Sequence, residues 1–329
     1  MQWSDRLRSK LLKVPYVHTV FTLPHKLNNL ARNNKRAIYG LLMRTSWRTV
    51  KHLTSLEENL GGLPGMTSVI HTFGSDMKYH IHVHCLISFG GLKGGKWKWP
   101  KHKKRLANYR DYCEVYRDFF MEGLKKLSDK GAINYAENKG QNYAYFEKLV
   151  GGKRWVVHSE PPTAKPEVLT EYLSRYICKI AISKHRLHFD KVLNLVTLEF
   201  KDYKNQKKGQ SAPIVTKTLS PLVAINQILQ HVLPLSFQKS RNTGLHHGST
   251  IKRLRKQIPK KIKENGYTVR KIFELISIML GYPIEVCPAC GGMDFETDIV
   301  MPDRKWIKPI LMCNKAPPNY KMRVKMSSN

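Results

Sequence analysis

Two histidines one residue apart, His82 and His84, sit in an apolar run that continues Cys85-Leu86-Ile87. On an extended strand alternate side chains share a face at a rise of about 3.3 Å per residue, so the two imidazoles point the same way about 6.6 Å apart and can grip one cation. Downstream, Tyr172 and Tyr176 are spaced so that a helix would put both phenols on one face. A metal held by imidazoles and faced by a phenol suits the cutting of a DNA strand through a phosphotyrosine link. Blander readings exist for each half. A lone His-x-His also describes two core or two outward imidazoles, and Leu169, Tyr172, Leu173, Tyr176, Ile177 and Ile180 form a stripe that plain packing would produce. Polar company argues for chemistry: Arg175 lies one helical turn beyond Tyr172, and Lys179 one turn beyond Tyr176. A phenol with a pKa of about 10 is a poor nucleophile at neutral pH, and nearby cations or a metal would stabilise its phenolate and steady a phosphate.

Two imidazoles leave the ion short of a ligand. His80 falls on the same face but about 13 Å from His84, too far for bonds of about 2 Å. His71 is the better candidate. A hairpin closing around Asp76 and Met77 sets His71 opposite His82, about 5 Å away, whereas a slip of one residue would turn it to the other face. His18 and Glu171 are held in reserve.

These residues need strands and a helix to present them. Residues 14–23, 67–73 and 80–89 have the β-branched and aromatic character of strands, with 155–158 as a shorter one and 195–200 as a last one. Helical periodicity runs through 3–12, 34–59, 109–127, 221–233, 251–263 and 269–280, and a further helical insertion is expected within 131–152. Glycines 90, 91, 94 and 95, with Trp97 and Trp99, mark a tight turn or short hairpin. Pro166 and Glu167 make a good first turn for a helix reaching about residue 180 and carrying both tyrosines. The polar stretch 204–210 reads as a loop or domain junction.

The 329 residues carry 57 Lys plus Arg against 24 Asp plus Glu, a formal charge of +33. That balance points to a polyanionic partner, with nucleic acid ahead of a membrane surface because no apolar segment approaches the roughly 20 residues needed to span a bilayer. Together with the lack of a secretory leader this predicts a cytoplasmic protein. The basic run 252–263 (KRLRKQIPKKIK) would lie along phosphates or form a solvated face. Six scattered cysteines are too sparse for a disulfide scaffold, but Cys287 and Cys290, with Cys313 as third ligand, could form a structural Zn²⁺ knuckle.

Several stretches in order resemble one family: Val14-Pro15-Tyr16 through Pro24, Ile70-His71-Thr72-Phe73-Gly74, His80 to Cys85 with Gly90-Gly91-Leu92, Glu160-Pro161-Pro162, Tyr172-Leu173-Ser174-Arg175-Tyr176 with Ala181-Ile182-Ser183, and His231-Val232-Leu233-Pro234 with Phe237. They resemble the two-tyrosine HUH transposases of bacterial insertion sequences, the insertion-sequence ninety-one family. The resemblance implies an α+β fold, an HUH endonuclease palm with a central antiparallel sheet flanked by helices. It would occupy residues 1–203 with the helical insertion near 105–152, followed by a mainly helical, basic DNA-binding region over 204–329. It further implies that His82 and His84 hold Mg²⁺ or Mn²⁺ and that Tyr172 and Tyr176 cleave single-stranded DNA at element ends and target, leaving a 5′-phosphotyrosine and a free 3′-OH. Ile81 stands where the family pattern has proline and Ser75 where it has glutamine, and the cysteine-rich module with which members usually begin is expected to be missing. A plasmid replication initiator or relaxase would use the same chemistry, and a non-catalytic nucleic-acid-binding protein would need only the charge. A carboxylate-dependent nuclease finds no grouping among Asp76, Glu171, Asp190 and Asp202.

Overall fold

A computed structural model describes residues 2–135, 141–178, 182, 184–207, 209–263, 267, 274, 277–278, 281, 295–300 and 321–326. In chain order the elements are α1 (Gln2–Arg8), β1 (Tyr16–Thr22), α2 (Asn28–Asn33), α3 (Lys35–Ser55), β2 (Gly65–Phe73), β3 (Tyr79–Ser88), β4 (Gly91–Lys93), β5 (Lys96–Lys98), α4 (Tyr109–Asp129), α5 (Tyr143–Phe146), β6 (Val157–Ser159), α6 (Pro166–Cys178), β7 (Leu187–Asp190), β8 (Leu195–Lys201), β9 (Ile214–Leu219), α7 (Pro221–Gln230), β10 (Ser240–Gly244), α8 (Gly248–Leu254), α9 (Lys260–Lys263), β11 (Phe295–Val300) and β12 (Lys321–Met326). They fall into two compact units. One comprises 10–233 with 238–265, the other 1–9, 234–237 and 266–329.

The larger unit is built on an antiparallel sheet of order β10-β2-β3-β1-β6, with β3 in the middle. β3 is buried along nearly its whole length, and its pleat separates two sets of side chains. Val83 and Cys85 point to the back with Phe21 of β1, where α4 packs. There Phe21 meets Tyr112 and Tyr116 at ring separations of 6.1 and 5.0 Å, and Tyr116 and Phe120 close on Trp155. α3 runs beside α4, touching it closely where Gly123 leaves no room for a side chain against Leu41. His82 and His84 point to the front.

The central antiparallel sheet flanked by helices is as expected. β2 and β3 meet in the expected register, with His71 opposite His82 and the turn made by residues 74–78, Met77 at φ +59°. The glycine-rich segment forms the β4-β5 hairpin. Other elements differ. The long helix expected over 34–59 is preceded by the separate α2, and the insertion after α4 supplies α5 followed by a π-helical turn at Glu147–Gly151. Residues 195–200, expected as a last strand, instead form most of β8, the middle of a second sheet, β7-β8-β9, held through Leu198 against Met77 and Phe73. β10 had no counterpart in the sequence reading because Ser-Arg-Asn-Thr-Gly carries no strand pattern, and it joins the edge of the central sheet from beyond residue 203. The expected helix 251–263 is divided into α8, a 3-10 turn and α9 by Pro259. The helix expected over 269–280 falls largely outside the described residues.

In the smaller unit, α1 carries Asp5, whose carboxylate accepts from the Tyr267 hydroxyl at 2.5 Å, and β11 pairs with β12 antiparallel. That strand pair departs from the mainly helical expectation for this region. Cys287, Cys290 and Cys313 lie outside the described residues. No described helix is long and apolar enough to cross a membrane.

Candidate metal and tyrosine site

The front of the sheet collects imidazoles because three neighbouring strands each turn the same pleat face forward. His82 and His84 come from β3 and His71 from β2, and their ring centroids stand 5.2, 4.3 and 4.8 Å apart. One ligand nitrogen from each lies within 4.8 Å of the others, close enough for a small adjustment to bring all three onto one ion. All three rings are buried. Burial, ahead of repulsion from neighbouring histidines, pulls the pKa of His71 and His84 well below the ordinary imidazole value and that of His82 to about 4. At neutral pH all three are therefore uncharged and carry the lone pairs a metal requires. The set fits a divalent ion, and with nitrogen donors it fits Mn²⁺ or another transition ion better than Mg²⁺, which prefers oxygen.

Two further contacts orient these rings. The Nδ1 of His82 lies 2.9 Å from the main-chain oxygen of His80, two residues back. The Nδ1 of His84 lies 2.8 Å from Nε2 of His18 on β1, and Nδ1 of His18 faces a carboxylate oxygen of Glu160 at 3.3 Å. Burial lowers the His18 pKa, with Glu160 acting in the opposite direction. His18 is thus a partner of His84 and stands outside the three-nitrogen group. The other reserve candidate, Glu171, is exposed on α6 and is likewise not part of that group. His80 sets its ring 4.9 Å from that of His82, tilted by 36°, but does not join the group.

α6 begins at Pro166 and packs near β2, with Thr170 and Leu173 buried. That orientation leaves Tyr172 facing the imidazoles. Its ring lies 5.8 Å from those of both His18 and His84, nearly perpendicular to each. Tyr176 and Arg175 fall on α6, but their side chains, and Lys179 altogether, lie outside the described residues. The residue that sequence reasoning undervalued is Glu160, quoted only as part of Glu160-Pro161-Pro162. Nothing in its spacing from His18 signals a contact, which exists because β6 pairs with β1.

Residues 65–254 match the family model Y2_Tnp, described as "Putative transposase". Over 249 residues, 74% of this chain, the sequence is 31% identical to "Putative transposase y4qJ" of Sinorhizobium fredii and 27% identical to "Transposase for insertion sequence element IS801" of Pseudomonas savastanoi pv. phaseolicola. The aligned stretch covers 61% of the first relative and 57% of the second, so the chain spans less than two thirds of either. No solved structure matches it. Both tyrosines and all three histidines lie inside the matched range.

Proposed function

The chain belongs to the Y2_Tnp transposase family, of the insertion-sequence ninety-one type, and on that premise we propose that it nicks and rejoins single-stranded DNA at the ends of an insertion sequence through a 5′-phosphotyrosine. One observation supports this above the others: Tyr172 packs against His84 on the face where His71, His82 and His84 converge. On this reading the front of the sheet is the palm of an HUH endonuclease, and the DNA-acting protein works in the cytoplasm. Family membership favours a transposase over an initiator or relaxase of the same chemistry.

His71, His82 and His84 would hold the divalent ion. When bound there, such an ion supplies positive charge to the non-bridging oxygens of the scissile phosphate. The phenol oxygen of Tyr172 attacks phosphorus in line as the bond to the 3′ oxygen breaks. The phenol gives up its proton and the departing 3′ oxygen takes one up. The new tyrosine ester conserves the energy of the lost phosphodiester, so a 3′-OH can later reverse the step without ATP. Tyr176, one turn further along α6, would serve a second strand transfer, and Arg175 and Lys179 would steady the phosphate.

The test is a denaturing gel of the purified chain with labelled single strands carrying the element ends, with manganese or chelator. A covalent adduct is expected with manganese only. Tyr172→Phe should lower the adduct at least tenfold, and Tyr172→Phe with Tyr176→Phe should abolish it while leaving DNA binding within about twofold. An adduct that survives in the double variant would refute the assignment, and binding without any adduct would favour a non-catalytic protein.

A further inference from the structure

We infer that Glu160 and His18 act as positioning residues, a hydrogen-bonded chain that fixes the tautomer of His84 and so decides which nitrogen it offers to the ion. The inference rests on the metal-site reading above. An ionised carboxylate can only accept hydrogen bonds, so its contact with His18 places the proton on Nδ1 of that ring. A neutral His18 then has a bare Nε2, which can only accept. The 2.8 Å contact between it and Nδ1 of His84 therefore needs the proton on His84. That leaves Nε2 of His84 with its lone pair, facing away from His18.

The geometry agrees. The two rings are 5° from parallel with centroids 5.1 Å apart. Facing nitrogens at 2.8 Å with centroids that far apart put the rings edge to edge in a common plane, the alignment a hydrogen bond between them requires. The chain is anchored at its outer end by main chain as well, since the Glu160 N–H donates to the His18 carbonyl at 2.9 Å. His82 reaches the same tautomer by a different route. Its Nδ1 faces the His80 carbonyl, another pure acceptor, so its Nε2 is also bare. Two ligands thus present the same nitrogen, one set locally within β3 and the other set from the edge strand through β1. Tyr172 packs edge-on against both rings of the chain, so a rotated His84 would also shift the wall that locates the phenol.

The test uses the full chain labelled with ¹⁵N at histidine, free of metal, and long-range ¹H–¹⁵N correlation spectra. His18, His82 and His84 should all carry the proton on Nδ1. Manganese affinity is then measured by calorimetry. His18→Leu, which removes the acceptor, should weaken binding by about 10- to 100-fold. His18→Gln keeps a carbonyl oxygen able to accept from His84 and should restore affinity to within a few-fold of the parent, a rescue that loss of packing would not show. Glu160→Leu, which takes away the acceptor facing Nδ1 of His18, should shift the tautomer signals of both rings, whereas Glu160→Gln, which keeps an acceptor oxygen there, should leave them as in the parent. A parent protein with the His84 proton on Nε2, or His18→Leu binding manganese as the parent does, overturns the chain while leaving the metal site standing. A parent that binds no manganese overturns the functional reading itself. Should His18→Leu fail to fold, the parent spectrum still decides.

Discussion

The alternation that puts His82 and His84 on one face of β3 also puts Val83 on the other, so a single stretch of chain serves both the site and the core. The third proposed ligand follows from pairing, and the hairpin makes it legible: counting back from Asp76 and Met77 places His71 opposite His82. The irregularity in this hairpin lies on the turn side of His71, where Phe73 pairs with Tyr79, so it leaves the three histidines in phase. The tyrosines were legible as a pair, but only packing shows Tyr172 against His84. These contacts separate the proposed ligands from bystanders. His71→Ala and His84→Ala are each expected to weaken manganese binding at least tenfold by calorimetry. His80→Ala should change it less than threefold despite its nearness, because His82 uses the backbone carbonyl of that residue and not its ring. A large loss in His80→Ala would mean that the wrong imidazoles have been grouped.

At the scale of elements, the least legible piece is β10, whose polar sequence becomes a strand because β2 offers it an open edge. What holds it there is a buried network. The Thr67 hydroxyl donates to Asn242 Oδ1 at 2.8 Å, leaving its oxygen to accept from Nδ1 of His246 at 2.9 Å, while Nε2 of His246 accepts from Tyr16 at 3.2 Å. The Tyr16 oxygen in turn accepts from the Leu12 N–H. This pattern needs a neutral His246, and burial pulls its pKa down to about 3. Between that value and the unfolded value of about 6.5 the unfolded chain binds the extra proton. The stabilisation is therefore complete above about pH 6.5 and is lost as pH falls toward 3, at up to about 1.4 kcal/mol per unit. Urea titrations from pH 7 to 4 should show stability falling with acid, and His246→Gln should flatten that slope by up to one proton. An unchanged slope would show that other groups dominate. Gly244 closes the same edge at φ +57°, where an added Cβ would sit 2.0 Å from the Pro64 carbonyl oxygen. Gly244→Ala is expected to cost about 1–3 kcal/mol in the same titration, and no cost would mean that the edge strand moves freely.

For the whole molecule the charge of +33 sets the terms of any encounter with DNA. Within the basic run, Ile258 and Ile262 are buried while Lys252, Arg253, Lys256, Lys260 and Lys261 are exposed, so the apolar residues anchor the segment and turn its cations outward. Single-strand affinity should fall steeply with salt, by about 0.7 log units per log unit of salt for each phosphate neutralised. Replacing those five cations with glutamine should lower the slope by two or more while leaving manganese binding unchanged, and an unaltered slope would place the DNA elsewhere. The sequence by itself determined the chemistry on offer, since His-x-His on a strand, a tyrosine pair on a helix and excess cations depend on local periodicity and composition. It also singled out His71 as the partner of His82 for a hairpin closing around Asp76 and Met77, and the structure supplied that register. Only the tertiary structure decided that β8 belongs to a second sheet, that β10 completes the first, and that Glu160 reaches His84 through His18. Each joins residues distant in the chain through pairing across a sheet or packing against it, and no local pattern records which distant edge or face a segment will meet.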